Sequence, residues 1–415
     1  MKDHSTRHFY LCAAIAFMLP IWPQALPSLI VLLVLNRLLH AKFSTGSWPS
    51  PGIFFVFVSL YLLYLAGLLW SANMNYGLKD LETKLSLLLF PLVFFFSPAF
   101  GKERFHKILA WFVYGCVFSF LLCSGWGIYQ YVDEKMDMSH GVHRDNFGYY
   151  YFFSSRYSPF LHPSYLAMYV VLALMIIHFL HRSGDKTVSL ANGRICSAIF
   201  IVFILLLNSK AGILSLILFG VYFTWYNIFV AKKVKLTLLI IVSFASIITG
   251  LYFGVSEFSS KVNKAIDALF GRGVDASADE SSAKRVLVWS ASAEVIKNNW
   301  ITGTGTGDAK DELLSVYKER GMMVEYNANL NSHNQFLQTF IALGIAGIIS
   351  FLALLFVPAF LALRSHDLLY FFFIILFVVN TVVESMLETQ AGVIFFAFFN
   401  CLLMRQMPFG KPRHS

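Results

Sequence analysis

The sequence contains few charged residues for its length. Asp, Glu, Lys and Arg make up 13% of the 415 residues, about half of the roughly 25% that soluble globular domains carry. Residues 53–70 and 198–207 also lack the polar face, repeating every 3.6 residues, that a surface helix of a soluble protein needs. The composition therefore excludes a large soluble protein and predicts an all-α integral membrane protein.

Cysteines and acidic clusters are also scarce. The five cysteines all lie inside apolar runs, where a thiol behaves as a small hydrophobic group: Cys12, Cys116, Cys123, Cys196 and Cys401. Their spacing fits neither a disulfide framework nor a structural metal site. No acidic cluster of the kind that holds divalent cations is evident. We therefore predict no metal and no cofactor.

Apolar runs near the ~20-residue spanning length recur along the whole chain and predict about twelve transmembrane helices. They lie near 9–22, 25–39, 53–70, 84–100, 107–131, 163–181, 194–208, 210–230, 235–254, 334–363, 367–383 and 390–406. The first is interpreted as a retained helix because no small-residue cleavage site follows it.

This reading divides the chain into three parts. Residues 1–253 hold helices one to nine, 254–331 form a long loop, and 332–415 hold the last three helices and a tail. Within the long loop, short amphipathic helices are predicted near 258–270, 284–299 and 308–320.

The distribution of basic residues predicts the orientation. If the N-terminus is cytoplasmic, the cytoplasmic segments hold 17 of the 32 Lys and Arg, and the outer segments other than the long loop hold 6. This is the positive-inside bias. It places both termini in the cytoplasm and residues 254–331 outside, and it explains the net charge of +9 without nucleic acid.

Three outer positions carry side chains suited to an anionic substrate. The first is Ser332-His333-Asn334-Gln335, whose capping-box pattern predicts Ser332 as the N-cap of a span and His333 in its first turn. A histidine kept neutral by the helix dipole there could act as a base or bind phosphate. The alternative is an ordinary interfacial polar residue.

The second position is Lys210, between two spans that leave almost no loop. An ionisable residue at that depth is a functional candidate, although a lysine reaching lipid headgroups would fit as well. The third is Arg285, with Trp289 on the same helix face. Arginine suits bidentate phosphate recognition, but amphipathic loop helices often carry both residue types.

Weaker signals lie nearby. Asn380, Glu384 and Glu388 follow a four-residue spacing that would align them, and two such carboxylates need a cationic partner or a shared proton. Arg156 and His162 are candidate partners. The glycines of residues 303–307 do not follow a strand, so a turn is predicted there and not a dinucleotide site.

Lys, Arg and His gathered at outer helix starts suggest a membrane-embedded anionic substrate. A lipid pyrophosphate fits, because Lys210, Arg285 and the helix start at Ser332 could stabilise its leaving charge. Sugar transfer from such a donor needs a base near the acceptor hydroxyl, and His333 is the nearest candidate.

The order of these features resembles the O-antigen ligase family, which is related to the O-antigen polymerases. The resemblance rests on His162-Pro163-Ser164, Ser209-Lys210-Ala211-Gly212, Arg285-x-x-x-Trp289, the turn at 303–307, and His333-Asn334-Gln335-Phe336 leading into residues 343–347. It covers about residues 160–410. Lys210 departs from it, since many members carry arginine there.

The resemblance implies a metal-independent glycosyltransferase of GT-C-like architecture in the bacterial inner membrane. Such ligases move O-antigen polysaccharide from undecaprenyl pyrophosphate to the lipid A–core of lipopolysaccharide at the periplasmic face. Arg285 would clamp the pyrophosphate, and His333 would serve as base or phosphate contact. Trp289, Arg156, His162, Glu384 and Glu388 would support the site.

Other functions stay open from the sequence. An O-antigen polymerase or a protein O-oligosaccharyltransferase would use the same donor with a different acceptor. A transporter of polysaccharide or lipid belongs to another class, but no inverted repeat is found and charges within the spans are scarce. A membrane scaffold would not need His, Arg and Lys on one face.

Overall fold

The computed structural model describes residues 2–39, 50–139, 150–254, 259–260, 263 and 281–407. All regular elements in these ranges are helical, which confirms the all-α prediction. Six helices are long and apolar enough to cross a membrane: Pro51–Trp70, Lys102–Asp133, Pro163–Arg182, Leu190–Leu207, Lys210–Val230 and Gln335–Arg364. The chain is a multi-pass membrane protein, and the twelve spans and GT-C-like architecture stay predictions.

The helices are numbered in chain order. The first eleven are α1 Lys2–Met18, α2 Leu26–Leu39, α3 Pro51–Gly67, α4 Met74–Lys84, α5 Ser86–Phe95, α6 Lys102–Ser139, α7 Ser154–Tyr157, α8 Pro163–Arg182, α9 Leu190–Leu207, α10 Lys210–Trp225 and α11 Val234–Gly254. The others are α12 Ser281–Asn298, α13 Ala309–Glu319, α14 Met323–Asn327, α15 Gln335–Arg364, α16 Leu368–Val383 and α17 Gln390–Gln406.

Helices α12 and α13 confirm that two of the three stretches predicted as helices in the long loop are helical. The one predicted near 258–270 lies almost wholly outside the described residues. The apolar run near 84–100 was predicted as one span. In the structure it forms only the short helix α5, which follows the polar helix α4.

The centre of the bundle is formed by α8 and α17. Nearly all of α8 is buried, and aromatic rings fill its contact with α17, where Tyr169 stacks on Phe395 at 4.4 Å between centroids. A helix that is apolar on all sides is stable when other helices surround it. By contrast, only 17% of the spanning window of α10 is buried, so that helix lies at the periphery of the bundle.

The two ends of α8 define two ends of the bundle. The His162 end lies before Pro163, and the Arg182 end lies about 30 Å away, at a rise of ~1.5 Å per residue. Both ends of the described chain lie at the Arg182 end. The start of α6 is there, because His106 Nδ1 lies 2.6 Å from Asp185 Oδ2. Arg104 donates to Ser5 Oγ (2.7 Å) at this start, and Arg405 donates to the Ser97 carbonyl (2.7 Å) just before it.

Helix α15 is interrupted at Gly344, where the backbone has φ 60° and ψ −151°. The turn at 303–307 fills the interruption: Thr304 N–H donates to the Ile341 carbonyl (2.8 Å) and Gly305 N–H to the Ala342 carbonyl (3.0 Å). Beyond the break, Ile345 N–H donates to the Trp300 carbonyl (3.0 Å). The glycine-rich turn predicted from the sequence is thus a structural bridge between the loop and α15.

Replacing Gly344 by alanine is expected to lower stability by about 3 kcal/mol or more. Its backbone conformation is nearly restricted to glycine, with strain of ~1–3 kcal/mol, and a Cβ there would lie 2.3 Å from the Ile301 carbonyl oxygen. The midpoint of thermal unfolding in detergent measures this. Gly125→Ala, in α6 with no atom within 4 Å of its Cβ position, is the control. Equal midpoints for Gly344→Ala and the wild type would refute the expectation.

Candidate functional site

One carboxylate at the His162 end joins two of the predicted site residues. Arg285 Nη2 donates to Glu384 Oε1 at 2.8 Å, and His333 Nδ1 lies 3.1 Å from Glu384 Oε2. The three side chains come from α12, the turn before α15, and the end of α16. They remain 20%, 30% and 13% exposed for Arg285, His333 and Glu384. We call this set the Glu384 cluster.

The turn that carries His333 differs from the prediction. Asn334 is the N-cap of α15, and its side-chain oxygen accepts from Phe336 N–H (2.9 Å) and Leu337 N–H (3.2 Å). The predictions that Ser332 caps the helix and that His333 lies in its first turn are therefore wrong. Asparagine caps a helix at least as well as serine does, and here Asn334 is the residue that caps α15. His333 instead has a left-handed backbone, with φ 45°.

Ser332 is fully buried beneath the start of α15. Its hydroxyl donates to Gln338 Oε1 at 2.9 Å and its N–H donates to the same oxygen at 3.2 Å. Ser292 Oγ, on the Arg285 helix, donates to Ser332 Oγ at 3.3 Å. Ser332 thus ties α12 to α15 and does not present its hydroxyl at the helix start, as a pyrophosphate contact would require.

Glu384 can contact both Arg285 and His333 because α16 ends just before it. Its backbone is extended, with φ −145° and ψ 148°, and its N–H donates to the Asn380 carbonyl. The predicted alignment of Asn380, Glu384 and Glu388 on one helix face is therefore wrong. Asn380 points elsewhere, because its amide donates to Ser215 Oγ at 2.9 Å.

The charge of Glu384 follows from its partners. Burial raises the pKa of this carboxyl, but the hydrogen bond with His333 and the charge of Arg285 outweigh burial and bring the pKa below its ordinary value. Glu384 is therefore ionised at neutral pH. The expectation that this carboxylate has a cationic partner is confirmed by Arg285.

Glu388 has a different cation as its partner. Lys84, fully buried at the end of α4, donates to Glu388 Oε1 at 3.0 Å and also to Asp80. Its ammonium lies 4.6 Å from the centre of the Tyr64 ring. Sequence reasoning missed Lys84, although an Asp80-x-x-x-Lys84 pair before an apolar run was the available signal. We call Asp80, Lys84 and Glu388 the Lys84 cluster.

The segment between α16 and α17 connects the two clusters. Its two ends, Glu384 and Glu388, are held by different cations, and between them the Leu387 N–H donates to Gln335 Oε1 at 2.7 Å. Ser385 Oγ accepts from the Asn334 N–H at 3.2 Å. The Lys84 cluster therefore fixes the loop on which Glu384 lies.

His162 and Lys210 lie at the starts of two adjacent helices. His162 caps α8, since its Nδ1 accepts from Ser164 N–H at 3.3 Å. Ser164 Oγ lies 3.1 Å from Ser209 Oγ, and Ser209 caps α10, which begins at Lys210. The prediction that almost no loop separates these two spans is confirmed, because α9 ends at Leu207 and α10 begins at Lys210. The exposed Lys210 therefore lies next to the cap of α8.

The pKa of His162 is lowered, so its imidazole is neutral at pH 7. Burial is the main cause; the charge of Glu384 opposes it, and His333 and Arg285 add to it. The Glu384 cluster is therefore close enough to act on His162 electrostatically.

Trp289 and Arg156 differ in their surroundings. Trp289, one turn after Arg285, packs against the hydrophobic core. Its indole Nε1 is buried without a hydrogen-bond partner among the described residues. Arg156 is exposed on α7, with its guanidinium 6.0 Å from the Tyr151 ring centre. The described contacts do not connect Arg156 with the Glu384 cluster.

Within the described residues, no group of three or more His, Cys, Asp and Glu side chains is placed to hold a metal ion. The cations of the site are instead Arg285 and, at the neighbouring helix start, Lys210. A histidine oriented by a carboxylate beside a guanidinium can accept a proton while the guanidinium binds an anion.

One comparison with known proteins found a match. Residues 195–352 match the profile of the family described as O-antigen ligase. The matched segment contains Lys210, Arg285 and His333, whereas Glu384 and the Lys84 cluster lie outside it. A search of curated proteins found no match. The matched segment supports an O-antigen ligase or polymerase type of function in general. Residues 195–352 therefore carry a domain that matches the O-antigen ligase family.

Proposed function

We propose that the protein transfers O-antigen polysaccharide from undecaprenyl pyrophosphate to the lipid A–core of lipopolysaccharide. The reaction would take place at the periplasmic face of the bacterial inner membrane, with both termini in the cytoplasm. The observation that carries this proposal is Glu384, whose two oxygens engage Arg285 at 2.8 Å and His333 at 3.1 Å. A carboxylate with both partners can position a base and a phosphate-binding cation for one reaction.

Arg285 and Lys210 are the proposed contacts of the pyrophosphate. The bond from Arg285 to Glu384 is made by Nη2, and a guanidinium carries five N–H donors on three nitrogens. Capacity therefore remains for phosphate oxygens. Lys210 adds a point charge without the bidentate geometry of arginine. Together the two cations would stabilise the charge that develops on the leaving pyrophosphate.

His333 is the proposed base. With Nδ1 facing Glu384 Oε2, the carboxylate favours the tautomer that keeps a proton on Nδ1 and leaves the Nε2 lone pair free to accept one. The acceptor hydroxyl would give its proton to Nε2, and its oxygen would form the new bond to the anomeric carbon. The bond from that carbon to the pyrophosphate oxygen would break, and undecaprenyl pyrophosphate would leave.

Electrophoresis of lipopolysaccharide from a deletion strain tests the function. Deletion should leave the lipid A–core bare while lipid-linked polymer of normal length accumulates, and the wild-type gene should restore the ladder. Complementation with Lys297→Ala, an exposed residue of the Arg285 helix, should also restore it. If deletion instead shortens the polymer to a single repeat, the protein is a polymerase and the proposed acceptor is wrong.

A further inference from the structure

A cavity lies at the Arg182 end of the bundle, opposite the end that carries the Glu384 cluster. Its volume is about 1490 Å³, beyond the roughly 300–1,000 Å³ of a typical small-molecule pocket. It is formed by the ends of α8 and α10, the start of α9 and part of α11. Because Arg285, His333 and Glu384 are not among the residues that line it, this cavity is not part of the Glu384 cluster.

The wall of this cavity is apolar and its rim is cationic. Apolar side chains such as Ile217 and Val221 line it and are 48% and 64% exposed, so the cavity opens sideways, toward the surroundings of the bundle. Three basic side chains are among the residues that line it: Arg182, Arg194 and Lys233. No acidic side chain is among the described residues that line the cavity.

Two histidines beside the rim have unused ring nitrogens. The Nε2 atoms of His178 and His181 are buried and have no hydrogen-bond partner in the described part of the chain. The His181 ring lies directly against Gly193, where a Cβ would come within 2.2 Å of its Cε1. The absence of a side chain at Gly193 thus makes room for this ring at the cavity wall.

The Tyr226 ring contacts one of the basic side chains and one of the histidines. The Arg182 guanidinium lies 5.1 Å from the centre of the Tyr226 ring, and the His178 ring contacts the same ring edge-on at 4.7 Å. Tyr226 begins the π-helical turn Tyr226–Val230 that ends the α10 span. Turns of this kind are rare and are frequent at functional sites. Arg182 and His178 are therefore positioned at the cavity wall by one aromatic ring.

We propose that this cavity binds one anionic glycerophospholipid. Its phosphate would lie between Arg182, Arg194 and Lys233, with His178 or His181 as an additional donor, and its acyl chains would follow the apolar wall of α9 and α10. The charge complementarity and the sideways opening favour a lipid of the surrounding bilayer. Such a lipid would stabilise the α8–α10 packing independently of the proposed transfer reaction.

Native mass spectrometry of the full chain tests this proposal. The protein would be released from nanodiscs containing equal amounts of phosphatidylglycerol and phosphatidylcholine, and the retained lipids counted. The wild type should retain phosphatidylglycerol preferentially. The double variant Arg182→Gln/Arg194→Gln should lower that preference about tenfold to thirtyfold, as expected for two basic side chains near a lipid phosphate.

Matched controls separate the site from general charge. Lys102→Gln/Lys186→Gln removes two exposed cations from the same end of the bundle, outside the cavity, and should leave the preference unchanged. Gly220→Leu projects into the open cavity, where a Cβ meets no atom within 4 Å, and should reduce retention of either lipid. Gly250→Leu, equally unobstructed but not among the lining residues, should have no effect.

Several outcomes would overturn the proposal. Equal retention of phosphatidylcholine by the wild type would show that the rim does not select charge. If the Lys102/Lys186 variant loses as much of the preference for phosphatidylglycerol, the preference comes from the overall positive charge of this end of the bundle and not from the cavity. Displacement of the lipid by glycerol phosphate alone would show a soluble phosphate site, and displacement by undecaprenyl phosphate would assign the cavity to the polyprenyl chain.

Discussion

Replacing His333 by alanine is expected to lower the rate of polysaccharide transfer by roughly a hundredfold to ten-thousandfold, the range of general-base catalysis. Arg285→Ala should cause a loss of similar size, because it removes the proposed pyrophosphate clamp and leaves Glu384 with one partner fewer. Initial rates with purified protein, lipid-linked polymer and lipid A–core measure both. His366→Ala, an exposed histidine at the Arg182 end, is the control and should keep the wild-type rate.

Glu384→Gln tests whether the carboxylate acts through His333. The amide keeps the shape of the side chain but loses the charge, so the rate should fall less than in His333→Ala, and the pH profile should change because the imidazole loses its ionised neighbour. The double variant His333→Ala/Glu384→Gln should be no slower than His333→Ala alone, since residues that act as a unit are not additive. A rate equal to wild type in both alanine variants would show that the proposed site is wrong.

The largest expected effect on stability is that of Lys84→Met. Lys84 is fully buried between Asp80 and Glu388, and removal of one partner of a buried ion pair typically costs about 3–5 kcal/mol. Here it would leave two buried carboxylates without their cation. Thermal unfolding in detergent should show a midpoint well below that of the wild type. Lys186→Met, in which the lysine is exposed, should unfold as the wild type does.

A triple variant separates charge from packing. In Asp80→Asn/Lys84→Met/Glu388→Gln no charge remains in the cluster, and replacement of a whole buried ion pair by neutral residues is often close to neutral. Most of the stability lost in Lys84→Met should therefore return. If the triple variant is as unstable as the single one, packing against Tyr64 and not charge explains the role of Lys84.

The transmembrane character and the loop helices α12 and α13 follow from local patterns in the sequence. Composition and unbroken apolar runs are enough to predict spans, because a lipid-facing or fully buried helix needs no polar face. The sequence also predicted Arg285 and His333 as parts of one site, since each lies close to the start of a helix. These predictions depend on short stretches of chain, which is why they hold.

Other features could not be predicted, because the local sequence allows two structures and does not decide between them. Ser332 and Asn334 are both good helix caps, and the choice of Asn334 depends on the buried bonds that Ser332 makes with Gln338. The alignment of Glu384 with Glu388 failed because α16 ends at Val383, where no proline or glycine marks the end.

The burial of Lys84 beside Glu388 could not be predicted, for a different reason. Its bond with Glu388 joins residues 304 positions apart, and only the packing of α4 beside the loop between α16 and α17 brings them together. In the sequence, Lys84 stands at the start of an apolar run and could equally be a residue that reaches the membrane surface. No local spacing distinguishes that lysine from a buried one.

The turn at 303–307 and the Lys84 cluster also differ in when they can form as the chain is made. The turn at 303–307 meets α15 across only 37 positions in the bond from Thr304 to Ile341, so the interruption at Gly344 can be filled as soon as α15 follows the loop into place. The Lys84 cluster must wait for the segment before the last helix, and closing so long a stretch of chain is slow. Until then Asp80 is the only one of the two acidic partners that Lys84 can contact. The contact that fixes the loop of Glu384 can therefore form only after α16 has been made.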